Sequence, residues 1–325
     1  MYALGAISAD REGWVAQAAE CCWWQVRGCP ASPWRRLHAR QRAGRTRARK
    51  SRSRSDEHRV DPPAIDSRLP WCLAPHMPDE YTDATYGDRI AEAYDERYEA
   101  SFAEDTLAAV SFLKELAVDG PALELGIGTG RLALPLDEAG IDVHGIDASE
   151  AMVAKLKSKP GGDRIPITIG SFADFSLETR FRLVYVAFNT FFGLLTQDEQ
   201  ISCFAAVARH LTPDGVFAMQ AFVPDVTRFD VHNQRVAADS VGIDEIALET
   251  STHDPFTQRT DGAHVVIRDG GIRMYPVRIR YAYVSELDLM ARLAGLRLRD
   301  RWAGWDREPY PSRRWTHVSV WEKGN

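Results

Sequence analysis

The strongest chemical signal in the chain lies in eight consecutive residues, Leu123-Glu124-Leu125-Gly126-Ile127-Gly128-Thr129-Gly130. Alternate glycines between an apolar run and a helical pattern let backbone N–H groups approach a ligand closely, and the N-terminus of the following helix favours negative charge there. Asp147 stands twenty-one residues after Gly126, at the end of the next apolar run. A carboxylate at that place can accept both hydrogen bonds of a ribose diol, so the pair points to an adenosine-containing ligand. Two details argue against a nicotinamide dinucleotide. Its fingerprint needs a third glycine where this chain has Arg131. Glu124 would also sit badly beside a pyrophosphate but well beside a cation.

These residues require alternating strands and helices to hold them. Helical spacing over 84–99 and 104–117 predicts two leading helices, followed by a first strand Pro121–Leu125 and a helix through Leu132, Leu136 and Ala139. A second strand, Ile141–Ile146, delivers Asp147, and Ser149 caps the next helix. A third, Ile165–Ile169, leads into Phe172-Ala173-Asp174-Phe175. The fourth, Phe181–Phe188, is a near-continuous apolar run, as in a parallel sheet covered on both faces. Thr196-Gln197-Asp198-Glu199 has capping-box form and opens a helix to Leu211, before a fifth strand, Val216–Phe222. Five strand–helix repeats imply an α/β fold with a doubly wound sheet. The rhythm breaks between Pro224 and Val284, where Ile246–Thr250, His264–Arg268 and Ile272–Tyr281 read as an antiparallel β insertion. A capped helix stopping at Gly295 and the strands Leu296–Trp302 and Trp315–Glu322 close the chain.

The segments E-L-G-I-G-T-G, G-I-D-A-S-E-A-M, S-F-A-D-F and A-F-N-T-F-F, with a late A-G-L before the closing strands, resemble the class I, Rossmann-like S-adenosylmethionine-dependent methyltransferases of the small-molecule type. The likeness covers roughly residues 81–325. It implies S-adenosyl-L-methionine as cofactor and a seven-stranded sheet of order 3-2-1-4-5-7-6 whose last strand is antiparallel. It also implies Gly126, Gly128 and Gly130 beside the methionyl part, Asp147 on the ribose, Ala148 and Met152 near the adenine, and Asp174 near its amine. Phe188 and Asn189 fall at the mouth after the fourth strand. Each has a plainer alternative: Met152 fits a core face, Asp174 a turn cap, Asn189 a strand-end turn. Tyr94 matches the helix that covers the cofactor in relatives and is the candidate catalytic residue, with sheet packing as its alternative.

The acceptor is less legible. Asn189-Thr190-Phe191-Phe192 lacks the prolines common in methyltransferases of base amines, which disfavours nucleic acid and favours a small polar metabolite, with nitrogen preferred over oxygen. The leading helices and the insertion are similar to those of small-molecule N-methyltransferases, in which such parts lid the acceptor pocket or build a dimer contact; a homodimer through the insertion is therefore expected. His253, Tyr275 and Tyr283 are candidate pocket residues, and Arg278, Arg280, Arg313 and Arg314 candidate anion ligands. Trp302, Trp305, Trp315 and Trp321 read as packing for the sheet edge. Two other functions fit the same glycines: a catalytically silent S-adenosylmethionine-binding module, and an RNA methyltransferase guided by a basic arm.

That arm comes from the charge distribution. The 325 residues carry a net charge of -6, but residues 1–76 hold 14 Lys+Arg against 7 Asp+Glu, leaving 26 against 39 for residues 77–325. An acidic body repels phosphate backbones. The head, dense in Arg from Arg35 to Arg54 and without acids there, reads as a disordered extension, either non-native with Met77 as the start, a flexible basic tail or a targeting segment. The methyltransferase domain is assigned to 77–325, with the insertion at about 225–283. Cys21, Cys22, Cys29 and Cys72 lack zinc-ligand spacing, so no metal is expected. Cys203 alone in the body suits a reducing cytoplasm. No run of 18 apolar residues suggests a membrane span.

Overall fold

The computed structural model describes residues 81–98, 103–311 and 315–324. The basic head, Arg313 and Arg314 lie outside them. In chain order the main elements are α1 (Thr85–Ile90), α2 (Tyr94–Tyr98), α3 (Ala103–Ala117), β1 (Ala122–Leu125), α4 (Ala133–Glu138), β2 (Val143–Asp147), α5 (Glu150–Ser158), β3 (Ile167–Ile169), β4 (Phe181–Val186), α6 (Gln197–His210) and β5 (Leu211–Phe222). The insertion follows as β6 (Gln234–Val241), β7 (Glu245–Asp254), β8 (Arg259–Arg268) and β9 (Gly271–Arg280). The chain then closes through α7 (Val284–Leu293), β10 (Leu296–Trp302) and β11 (Thr316–Lys323).

Seven strands form one sheet in the order β3-β2-β1-β4-β5-β11-β10, which is the doubly wound order expected. β1 pairs in parallel with β2 and β4, and β11 runs antiparallel to β5. Successive side chains point to opposite faces, so a strand covered on both sides is apolar without alternation. Leu123, Leu125, Val184, Val186, Phe217 and Met219 pack with α6 and α7. Ala122, Leu183, Tyr185, Val216 and Ala218 pack with α3 and α4. Trp321 is fully buried between Phe204 and Phe217, with its Nε1 donating to Asp288 at 3.1 Å. The capping box of α6 forms in both directions: Thr196 Oγ1 accepts from Glu199 N at 3.1 Å, and Glu199 Oε2 accepts from Thr196 N at 2.8 Å.

Three features depart from the sequence expectations. The helix over 84–99 is two short helices, because α1 docks on the start of α5 while α2 reaches the glycine loop. β4 stops at Val186, since Phe188 and Asn189 take left-handed φ of 51° and 65°. The insertion has four antiparallel strands rather than three, in the order β6-β7-β8-β9. Val236 and Val241 of the additional strand are exposed, so β6 carries no buried alternation by which to read it.

Candidate active site

The glycine loop joins β1 to α4 at the carboxyl edge of the sheet, the place where open α/β sheets bind ligands. Gly126, Gly128 and Gly130 all take left-handed φ, at 72°, 57° and 82°. A Cβ at Gly126 would lie 2.3 Å from Thr190 Cγ2, and one at Gly130 2.9 Å from Leu156 Cγ. The early third glycine thus lets the loop pack closely against α5, where a fingerprint glycine would bring helix onto strand.

Asp147 Oδ2 accepts from Gly128 N at 2.7 Å and Oδ1 from Ser149 N at 2.8 Å. Burial pushes its pKa up against those two bonds. The bonds fix the carboxylate plane and leave its other lone pairs toward the cleft. Glu124, 5% exposed, accepts from Tyr185 Oη at 3.0 Å. Burial raises its pKa to about 8 despite that bond and the nearby Arg131 guanidinium. An acid held at the edge of ionisation inside a cleft is suited to a cationic ligand, whose charge would complete the ionisation.

The leading helices roof this loop. Asp95 accepts from Thr129 Oγ1 at 2.6 Å and pairs with Lys159 Nζ at 2.7 Å. Asp88 accepts from Ser149 Oγ at 2.6 Å, and a Cβ on Gly87 would lie 2.6 Å from Ser149 Cβ, so α1 sits directly on the N-cap of α5. Under the roof, Tyr94 packs on Tyr98 with centroids 4.9 Å apart, and Tyr98 packs on Phe188 at 5.8 Å. The Tyr86 and Tyr98 hydroxyls lie 3.3 Å apart. Burial raises the Tyr94 phenol to about 12 and pushes Tyr86 well above its ordinary value, so both stay protonated at neutral pH.

These parts line one cleft of about 1820 Å³, with the glycine loop and roof at one side and the inner face of the insertion at the other. That exceeds the ~300–1,000 Å³ of a single small-ligand pocket, leaving room for two molecules.

The methyltransferase domain family matches residues 122–215. The CcbJ methyltransferase from Streptomyces caelestis is 40% identical with a TM-score of 0.71, the likeness covering 75% of this chain and 100% of that one. The protein belongs to the S-adenosylmethionine-dependent methyltransferases. A cypemycin N-terminal methyltransferase from a Streptomyces species is 29% identical over 191 residues, 59% of this chain and 78% of the relative. An amino pentose methyltransferase from Micromonospora echinaspora, solved with S-adenosylmethionine bound, shares the fold: TM-score 0.53, 20% identity, 75% of this chain and 99% of that one.

The methyltransferase's own residues fit that cofactor. Glycine φ values and the space taken up by Thr190 and Leu156 leave the loop no room for side chains. Asp147 is pre-oriented for a diol, and Glu124 is buried where a cation would relieve it. Ala148, Met152, Phe188 and Asn189 also line the cleft. Asn189 pins the ends of β4 and β5 together, its Oδ1 accepting from Phe222 N at 2.7 Å. Asp174 is not on the cleft wall: its exposed carboxylate pairs with Arg209 at 2.5 Å, and Ser171 and Phe172 line the cleft instead. Tyr275 lines the cleft, whereas His253 is held by Tyr281 Oη at 2.7 Å and stacked on Phe229, and Tyr283 lies off the wall. Arg280 is no anion ligand; it is 5% exposed and joins Glu286 at 2.7 Å and Gln200 at 2.6 Å. Burial raises the Cys203 thiol, which is core.

Sequence reasoning missed Asp88, Asp95, Tyr86, Tyr98 and Tyr185. Tyr94 and Tyr98 are spaced i, i+4 and share a helix face, a signal that was present. The acids of α1 and α2 look like ordinary solvated charges until their partners are seen.

Proposed function

We propose that the protein methylates the nitrogen of a small polar metabolite. The observation that carries this reading is the ring of Tyr86, Tyr94, Tyr98 and Phe188 beside the glycine loop, in which the Tyr86 and Tyr94 phenols stay neutral. Aromatic faces attract cations and give no proton acceptor, which suits an amine acceptor and its positively charged product better than a hydroxyl, which must lose its proton to a base. The cofactor, when bound, supplies an activated sulfonium methyl. The chain's part is to hold the nucleophile within about 3 Å in line, with water excluded by the roof. Tyr94 is then the group that orients the acceptor. The cypemycin relative, named for action at an N-terminus, supports a nitrogen acceptor.

The enzyme is proposed to work in the cytoplasm as a homodimer through the outer face of the insertion. That face exposes Val236, Val241, Ile246, Ile267, Ile272 and Met274, at 39% to 73%. Four strands of this length cover roughly 600 Å², at ~3.3 Å per residue and ~4.8 Å between strands. A standard interface needs ~800 Å² per partner, so a second copy set face to face on this patch supplies most of it.

The nitrogen assignment is tested with 13C-methyl cofactor and an extract from 15N-grown cells. A one-bond carbon–nitrogen coupling in the product is expected; a label on oxygen would overturn the reading.

A further inference from the structure

Several of the charges that line the inner face of the insertion are paired. Arg97 pairs with Asp239 at 3.0 Å, and Arg235 and Arg228 pair with Glu249 at 2.6 Å and 3.5 Å. Two neutral side chains on that face matter here. Ser251 Oγ and His264 Nδ1 are buried and have no hydrogen-bond partner among the described residues. The β7–β8 register sets Ser251 opposite Gly262 and Glu249 opposite His264, so Ser251 and His264 are diagonal neighbours, roughly 7 Å apart on cross-strand spacing, with side-chain-free Gly262 beside both. All three are on the cleft side of the sheet, as the lining residues Ser251, His264 and Tyr275 show. His264 faces Arg97, Glu249 and Asp239, and burial together with Arg97 lowers its pKa, so it offers one nitrogen donor and one acceptor rather than a charge.

An unpartnered buried polar atom costs about 1–3 kcal/mol, and a ligand that pairs with it removes that cost, whereas an apolar ligand does not. We infer that Ser251 and His264 are specificity-determining residues that read neutral hydroxyl groups on the acceptor, at a distance from its reacting nitrogen. A carboxylate or phosphate next to His264 is disfavoured by Glu249, which adjoins it in the ladder. A second cation is disfavoured by Arg97, which His264 faces. Reaching both atoms takes a side-chain rotation at the cleft floor.

The inference rests on the nitrogen-acceptor reading, and its test separates the two. The full chain loaded with S-adenosylhomocysteine is titrated, by ligand-observed NMR, with three six-carbon primary amines: glucamine, hexylamine and 6-aminohexanoate. Glucamine is expected to bind about tenfold more tightly than either of the others, matching about one paired polar group. Ser251→Ala and His264→Phe should each narrow that gap to about twofold or threefold, while His264→Gln keeps most of it. S-adenosylhomocysteine affinity by calorimetry should not move in any variant, which also reports that each is folded. Equal binding of glucamine and hexylamine to the unsubstituted chain, a preference for the carboxylate, or a gap that survives both substitutions would overturn the inference. Binding of none of the three amines to the S-adenosylhomocysteine-loaded chain would defeat the nitrogen-acceptor reading instead.

Discussion

Glu124 and Asp147 are proposed to divide the recognition of the cofactor between charge and hydrogen bonding. Asp147 is held by Gly128 N and Ser149 N, and a charged acceptor's bond to a ribose hydroxyl is worth ~1.5–3 kcal/mol. Asp147→Ala should therefore weaken S-adenosylmethionine binding by at least that much in calorimetry; an unchanged affinity would remove it from the site. Glu124 makes a pH prediction whose sign is fixed. Its pKa near 8 lies above the ordinary carboxylate value, so in the free protein it is protonated below that pH. Binding a cationic cofactor favours the carboxylate and releases a proton. Affinity should thus rise with pH up to about 8 and fall below it, and Glu124→Gln should flatten the curve. The same raised value makes the free fold lose stability as pH climbs from the unfolded Glu range, about 4.3, toward 8, because only the folded state then holds the proton. Flat thermal melts over that window in the unsubstituted chain would contradict this. Glycine spacing and Asp147 were legible in the sequence because their chemistry is local. The Tyr185 bond that keeps Glu124 at its edge crosses from β4 to β1 and has no local signature.

The roof is the element where sequence reading recovered the least. Helical periodicity located α1 and α2 but not their acids' partners, since Asp88 meets Ser149 and Asp95 meets Thr129 and Lys159 only after the sheet has folded. The core strands were readable because burial on both faces leaves long apolar runs, and the closing antiparallel pair followed from the resemblance. β6 was not readable, because its apolar side chains face outward. These polar bonds of the roof act beside an apolar cluster in which Ile90, Ala91, Tyr86 and Tyr94 pack with Met152, Val266 and Tyr275. Asp95→Ala removes two of them; each is part-exposed, so the loss should be near 1 kcal/mol, a fewfold effect. Hydrogen exchange across residues 85–98 should quicken accordingly, and cofactor release with it. Unchanged exchange would mean that packing through Gly87, Ile90 and Ala91 holds the roof alone.

At the scale of the molecule, every residue proposed to bind the cofactor lies in 77–325, and the domain is proposed to act without the basic head; the fragment should bind S-adenosylmethionine as tightly as the full chain. Among the described residues no helix is long and apolar enough to cross a membrane. The apolar outer face of the insertion predicts a dimer in sedimentation, and Ile267→Glu with Ile272→Glu should yield monomers of unchanged fold. A monomeric unsubstituted protein at micromolar concentration would end that proposal. The large two-sided cleft is the central feature, with cofactor residues on one wall and an acceptor-sized space against the insertion on the other. Incubating the protein with 13C-methyl S-adenosylmethionine and a cell extract split by ultrafiltration tests it most directly. The account predicts S-adenosylhomocysteine formation with the label in a small molecule of the filtrate; label confined to retained RNA or protein, or no transfer at all, would contradict it.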